Sequence, residues 1–218
     1  GIVIDMRSNP GGLLKQSVKV ADLFLNDGRI VATRGRHPES KHDYRAHGGD
    51  LARGLPIVVL VNGRSASASE IVAAALQDHE RAIVVGTGSF GKGTVQSVTR
   101  LPNDGEMTLT WSRFVTPAGY ILHGLGVPPS VCTSEHSGSA QQILDRVVKN
   151  DQKLASLVGA WRTVGSNDEG SRIKLRASCP ADSRKRKVDM EIAEHLINDR
   201  QLYERVLGAA ASPVLSAR

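Results

Sequence analysis

Pro56-Ile57-Val58-Val59-Leu60-Val61-Asn62-Gly63-Arg64-Ser65-Ala66-Ser67-Ala68-Ser69-Glu70-Ile71-Val72-Ala73-Ala74-Ala75-Leu76 is the stretch on which the fold turns. Five unbroken apolar residues after a proline are the pattern of a strand buried on both faces. Asn62-Gly63-Arg64 breaks it, and Ala68, Ile71, Val72, Ala75 and Leu76 then recur at helical spacing. The unit is repeated on either side. Upstream, Ile2 to Asp5 reads as a strand and Arg7-Ser8-Asn9-Pro10-Gly11-Gly12 as a loop. Leu14, Val18, Ala21 and Leu25 follow as a helix stopped by Asn26-Asp27-Gly28. Downstream, Ala82 to Val85 is a third buried strand. Continuous apolar strands separated by helices predict an α/β fold with a largely parallel sheet covered on both faces.

Away from this core the period changes. Arg29 to Arg34 is a candidate strand, and Gly35 to Gly49 reads as a polar, histidine-bearing loop. Thr94 to Val98 and Met107 to Trp111 alternate with period two around Pro102-Asn103-Asp104-Gly105, which predicts a hairpin. From about residue 137 two helical stripes follow, Ile143, Val147, Leu154, Leu157, Val158 and Trp161, then Ile192, Ala193, Leu196, Leu202 and Val206, with Ser166 to Ser171 as a polar break. The expected organisation is a core over residues 1–136 and a helical C-terminal extension over 137–218.

Composition narrows the function classes. Across 218 residues, 40% hydrophobic and 23% charged are globular values that exclude gross disorder. The apolar runs fall far short of the ~20 residues of a membrane-spanning helix. A net charge of +6 invites a nucleic-acid reading, but the basic residues are dispersed. Their one dense run, Arg184-Lys185-Arg186-Lys187, has no interleaved aromatics for base stacking. A solvated basic surface and no nucleic-acid partner are expected. Cys132 and Cys179 allow one disulfide, but without C-x-x-C spacing or a metal-ligand cluster they read rather as two ordinary thiols, and the redox context stays open. The chain opens on Gly1 directly before a buried strand, which suggests a segment of a longer protein.

Three strand-end loops carry candidate chemistry. Gly86-Thr87-Gly88-Ser89-Phe90-Gly91-Lys92-Gly93 matches G-x-G-x-x-G and nearly matches the phosphate-loop pattern, which would make it a nucleotide site. Gly93 stands where magnesium needs a hydroxyl, and a strand pattern follows where the anion needs a helix N-terminus. Ser65-Ala66-Ser67-Ala68-Ser69-Glu70 enters a helix from a buried strand. Its serines can cap that helix with Glu70 as acidic partner, or present a hydroxyl beside amides able to stabilise an oxyanion. The paired glycines Gly11-Gly12 let a backbone approach a ligand, or simply form a tight turn.

Together the three loops resemble the carboxy-terminal processing, or tail-specific, serine proteases. The resemblance rests on Asp5 to Gly12, Val61 to Ala73 and Gly88 to Gln96, with Phe114 to Gly119 and Gly124 to Pro128 as later matches, and covers about residues 1–130. It implies a crotonase-like, Clp-peptidase-like core of mostly parallel strands and helices. It further implies Ser67 as nucleophile, Lys92 as general base and Gln96 holding the lysine, with the amides of Gly12 and Ala68 as oxyanion hole. Glu70, Asp78 and Ser89 would be supporting residues, and Arg7 and Asn9 would shape the first loop. Implied partners are protein or peptide substrates with unstructured C-termini, and a homo-oligomer; implied location is the bacterial cell envelope or periplasm. No metal or cofactor is implied. The family's PDZ domain would lie upstream of this segment, and Pro128-Pro129 departs from its Pro-Asp.

The residue chemistry fits this assignment. A lysine acts as a base near neutral pH when burial penalises its ammonium, and Gly91, Gly93, Val84, Val85 and Val95 offer a close apolar setting. The seven histidines show no triad spacing, and His37, His42 and His47 fall in the polar loop. Two other readings are a scaffold that keeps the fold without cleaving, and the nucleotide-binding protein on Gly86 to Gly93.

Overall fold

A computed structural model describes residues 1–134 and 138–211. The expected boundary at 136–137 and the last residues of the extension lie outside the described residues. In chain order the elements are β1 (Ile2–Asp5), α1 (Leu14–Asp22), β2 (Arg29–Arg34), β3 (His42–Arg45), β4 (Ile57–Val61), α2 (Ala68–Asp78), β5 (Ile83–Gly86), β6 (Thr94–Arg100), β7 (Glu106–Val115), β8 (Val131–Cys132), α3 (Ala140–Lys149), α4 (Asp151–Thr163), α5 (Glu169–Ala177), α6 (Lys187–Asn198) and α7 (Arg200–Ala210).

Strands β1, β4, β5 and β8 form one parallel sheet in that order, β4 and β5 buried throughout and β1 half-buried at its edge, with Ile4 opposite Val59 and Val59 opposite Val84. Strand side chains alternate between faces, and the apolar run of β4 feeds two cores. Ile57, Val59 and Val61 pack with α2 and with Ile30, Val31 and Phe114. Val58 and Leu60 point the other way, onto Ile143, Leu144, Ile192, Leu196 and Val206 from α3, α6 and α7. Helices α3, α6 and α7 therefore cover the second face of the sheet.

A second, antiparallel sheet of order β3-β2-β7-β6 lies beside the first. It contains the expected hairpin, and it corrects the reading of residues 35–49 as irregular. His42–Arg45 pairs with β2, and Pro38–Ser40 forms a short 3₁₀ turn. Alternation was hidden there because β3 is largely solvent-exposed. The first C-terminal stripe is two helices, not one, meeting at Asn150.

Of the two states open to the cysteines, the structure takes the disulfide and not the favoured free thiols. Cys132 at the end of β8 and Cys179 just past α5 form a disulfide, their Cα atoms 5.9 Å apart and 47 residues distant in sequence. Spacing alone gave no sign of this pairing, because it depends on the chain just past α5 returning to the ends of β5 and β8.

Candidate active site

Carboxyl ends of adjacent parallel strands are where an α/β sheet gathers loops, and three leave β1, β4 and β5 there. They are sewn together by buried polar groups. Ser65, fully buried, donates its hydroxyl to the Met6 carbonyl at 2.8 Å, and its own carbonyl accepts from the Phe90 N–H at 3.0 Å. Asn62 Oδ1 accepts from the Ser8 and Arg64 amides at 2.9 and 3.0 Å. Asn9 completes the join: its carbonyl accepts from the Ala66 N–H and the Ser69 hydroxyl at 3.0 and 2.9 Å.

Ser67 sits directly before α2 with φ +57° and ψ −115°. A positive φ is costly for a residue with a Cβ, and this sharp strand-to-helix turn is held by the bonds around it. Glu70 is the central tie. Its carboxylate is fully buried and accepts from four donors. Oε2 takes the N–H of Ser67 at 2.7 Å and the N–H of Lys92 at 3.0 Å. Oε1 takes the N–H of Gly91 at 2.7 Å and the Ser89 hydroxyl. Burial pushes the Glu70 carboxyl above its ordinary range, and these four donors oppose that shift by favouring the ionised form. One oxygen thus joins the backbones of Ser67 and Lys92. Ser89 extends the network, its hydroxyl also accepting from the Val127 N–H at 2.8 Å.

Other predicted positions are placed differently. Lys92 has its backbone pinned between buried Gly91 and Gly93, but its side chain is exposed, not desolvated as its apolar neighbours suggested. Those valines face the sheet core instead: Val84 and Val85 are fully buried in opposite clusters. Gln96 lies on β6, exposed and paired in register with Thr110. Asp78 is at the far end of α2, about 16 Å along the helix from Ser67. There it pairs with buried Arg162 at 3.3 Å and accepts from the Ala118 N–H at 3.0 Å. Burial pushes its carboxyl upward, and Arg162 opposes that.

Of the paired glycines, Gly11 makes the close approach. With φ +90°, a Cβ there would lie 2.5 Å from the Ala66 carbonyl oxygen and 2.7 Å from the Ala68 nitrogen. Gly12 is open, with nothing within 4 Å of such a carbon. Beside Gly12 and Ala68 is a cavity of ≈ 170 Å³ whose apolar lining includes Met6, Leu13, Val20 and Val72.

Sequence reasoning missed the contribution of the C-terminal region. The Asp182 carbonyl accepts from the Gly63 N–H at 2.8 Å, and Thr87 exchanges two hydrogen bonds with Asp182. Arg7 reaches Asp5 at 2.8 Å, Asp189 at 3.2 Å and the Arg186 carbonyl at 2.8 Å. Arg186, in the basic run, donates to the Thr133 and Ser134 carbonyls, so part of that run is structural. No local motif announces such contacts, since each spans about a hundred residues or more of chain or falls on an ordinary arginine.

Comparison with known proteins gives the family and the fold. Residues 1–133 match the sequence profile of Peptidase family S41. The carboxy-terminal-processing protease of Bartonella bacilliformis is 50% identical over 135 residues, which are 62% of this chain and 31% of that protein. The carboxyl-terminal-processing protease of Synechocystis is 42% identical over 129 residues, 59% of this chain and 30% of that protein. The solved photosystem II D1 C-terminal processing protease superposes with a TM-score of 0.53 at 38% identity, over 58% of this chain and 33% of its own. The chain spans less than a third of the length of these curated relatives.

Proposed function

From the premise that this chain belongs to Peptidase family S41, we propose that it carries the acylation centre of a serine endopeptidase that cleaves polypeptides near their C-termini. The observation that carries this reading is the shared Glu70 oxygen, which brings the backbones of Ser67 and Lys92 to one atom. Ser67 Oγ attacks the peptide carbonyl while the free amine of Lys92 takes the hydroxyl proton, and the ammonium so formed returns a proton to the leaving amine. The remaining acyl-enzyme ester is hydrolysed by water with Lys92 again as base. The Ala68 amide, at the first turn of α2, and the Gly12 amide face the developing oxyanion.

Exposure of Lys92 gives the substrate a second role. A polypeptide laid over both residues excludes bulk water from the reacting groups. The apolar cavity beside Gly12 and Ala68 takes a small apolar substrate side chain next to the cleaved bond. The disulfide supports a cell-envelope or periplasmic setting, because such bonds persist in oxidising compartments. Among the described residues no helix is long and apolar enough to cross a membrane.

The test is cleavage of an unstructured reporter peptide with an apolar C-terminus by the protein, by Ser67→Ala and by Lys92→Ala, each shown folded by circular dichroism. Loss of cleavage in both variants is expected. Cleavage that persists in Ser67→Ala, or a folded parent inert toward the peptide, overturns the reading, and the second result favours the scaffold.

A further inference from the structure

Beyond the family-matched residues, α5 places one guanidinium against the loop that carries Lys92. Arg176 Nη1 donates to the Leu125 carbonyl at 2.7 Å and Nη2 donates to the Ser89 carbonyl at 3.2 Å. Its fork spans two backbones that meet around Gly91: the Gly91 carbonyl accepts from the Gly124 N–H at 2.9 Å. The fit is close, since a Cβ on Gly126 would lie 3.0 Å from Nη1 and one on Gly91 3.3 Å. Ser89, whose carbonyl Arg176 holds, is the residue whose hydroxyl reaches Glu70. Behind this contact Trp161 Nε1 donates to the Gly126 carbonyl at 3.2 Å, and Arg172 donates to the Ile121 and His123 carbonyls.

A planar fork matched to two carbonyls is something arginine does and lysine does not. Even half-buried, a guanidinium without a directly bonded carboxylate gives up hydration, so its position needs support. That support is covalent: Cys179, three residues on, is tied to Cys132 at the end of the parallel sheet. The Glu70 carboxylate also attracts the Arg176 cation, against the larger cost of its partial burial.

We infer that Arg176 is a positioning residue for the reaction: by bridging the Ser89 and Leu125 carbonyls it fixes the loop that sets Lys92 relative to Ser67. The inference rests on the proposed peptidase reading and predicts that the C-terminal helices, though outside the matched family region, are needed for full turnover.

The experiment compares the parent with Arg176→Ala and Arg176→Lys by steady-state peptide cleavage and by hydrogen exchange of residues 88–94, with residues 57–61 as internal control. In Arg176→Ala, kcat should fall by about 10- to 100-fold, as for a displaced catalytic group, with KM within about twofold. Exchange across 88–94 should rise while 57–61 stays protected, and added guanidinium should restore part of kcat. Arg176→Lys keeps stem and charge but reaches one carbonyl, so it should remain folded with intermediate kcat and exchange. Parent-like kcat and exchange in Arg176→Lys overturn the inference, as does an Arg176→Ala variant whose loss lies in KM alone. If the parent itself shows no Ser67-dependent cleavage, the peptidase reading falls. The exchange arm then decides separately whether Arg176 orders the loop: unchanged exchange across 88–94 in both variants refutes that too.

Discussion

Replacing Glu70 by glutamine keeps shape and volume while changing one oxygen into a donor, so it isolates what the carboxylate does. Four donors converge on it: the amides of Ser67, Gly91 and Lys92, and the Ser89 hydroxyl. An amide can turn its oxygen toward Ser67 and Lys92, leaving its NH₂ against Gly91 and Ser89. Ser89 can rotate and accept, but the Gly91 N–H cannot, and one buried unpaired donor costs about 1–3 kcal/mol. The bonds that remain lose their charge assistance, which weakens them further. Opposing this, the burial that raises the Glu70 pKa no longer penalises a charge. We expect the donors to prevail, with Glu70→Gln destabilised by about 2 kcal/mol and its Tm lowered by roughly 4–8 °C for a chain of this size. Glu70→Ala orphans all four donors and should cost at least about 4 kcal/mol. Thermal and urea unfolding followed by circular dichroism read both, and kcat of Glu70→Gln should fall because the oxygen shared by Ser67 and Lys92 loses its charge and Gly91, next to Lys92, loses its acceptor. A Glu70→Gln protein as stable as the parent would refute the reasoning, since it would mean that desolvation of the carboxylate outweighs everything it accepts.

Opening the Cys132–Cys179 bond, by reduction or by paired alanine substitution, releases a 47-residue separation and should lower stability by about 4 kcal/mol on the chain-entropy view; an unchanged urea midpoint would contradict it. Gly11→Ala should disrupt the join between the first two loops, because its Cβ meets backbone at 2.5 Å at a positive φ, whereas Gly12→Ala should be tolerated. Comparable Tm values for the two variants would count against that distinction. His123 sits below its ordinary pKa of 6.5 through burial first, then through the Arg113 and Arg172 cations. The unfolded chain therefore binds the proton more readily, and stability present above pH 6.5 is lost as pH falls through the folded-state value. His123→Gln should flatten that part of the stability profile in urea titrations at several pH values.

The core of the fold was legible because its determinants are local. Ile57 to Val61 is apolar at every position, a pattern that only a strand covered on both faces accommodates, and Ala68 to Leu76 repeats at helical period. What covers the second face was less legible. Ile143, Ile192 and Leu196 announce amphipathic helices, but nothing in their spacing says that they pack on Val58 and Leu60. The strand at His42–Arg45 escaped because an exposed strand has no apolar side to alternate.

For the site, the sequence by itself determined the three loops, the placement of Ser67 before a helix, and the family resemblance that pairs it with Lys92. These are properties of short stretches and of their order. Only the tertiary structure decided that Glu70 gathers Ser67, Gly91 and Lys92, that Gly11 rather than Gly12 makes the tight approach, and that Lys92 is exposed. It alone joined Cys132 to Cys179 and set Arg176 against Ser89. The physical reason is that periodicity and capping act over a few residues. A buried carboxylate, a disulfide or a guanidinium takes its role from whichever backbone groups the packed chain brings within about 3 Å.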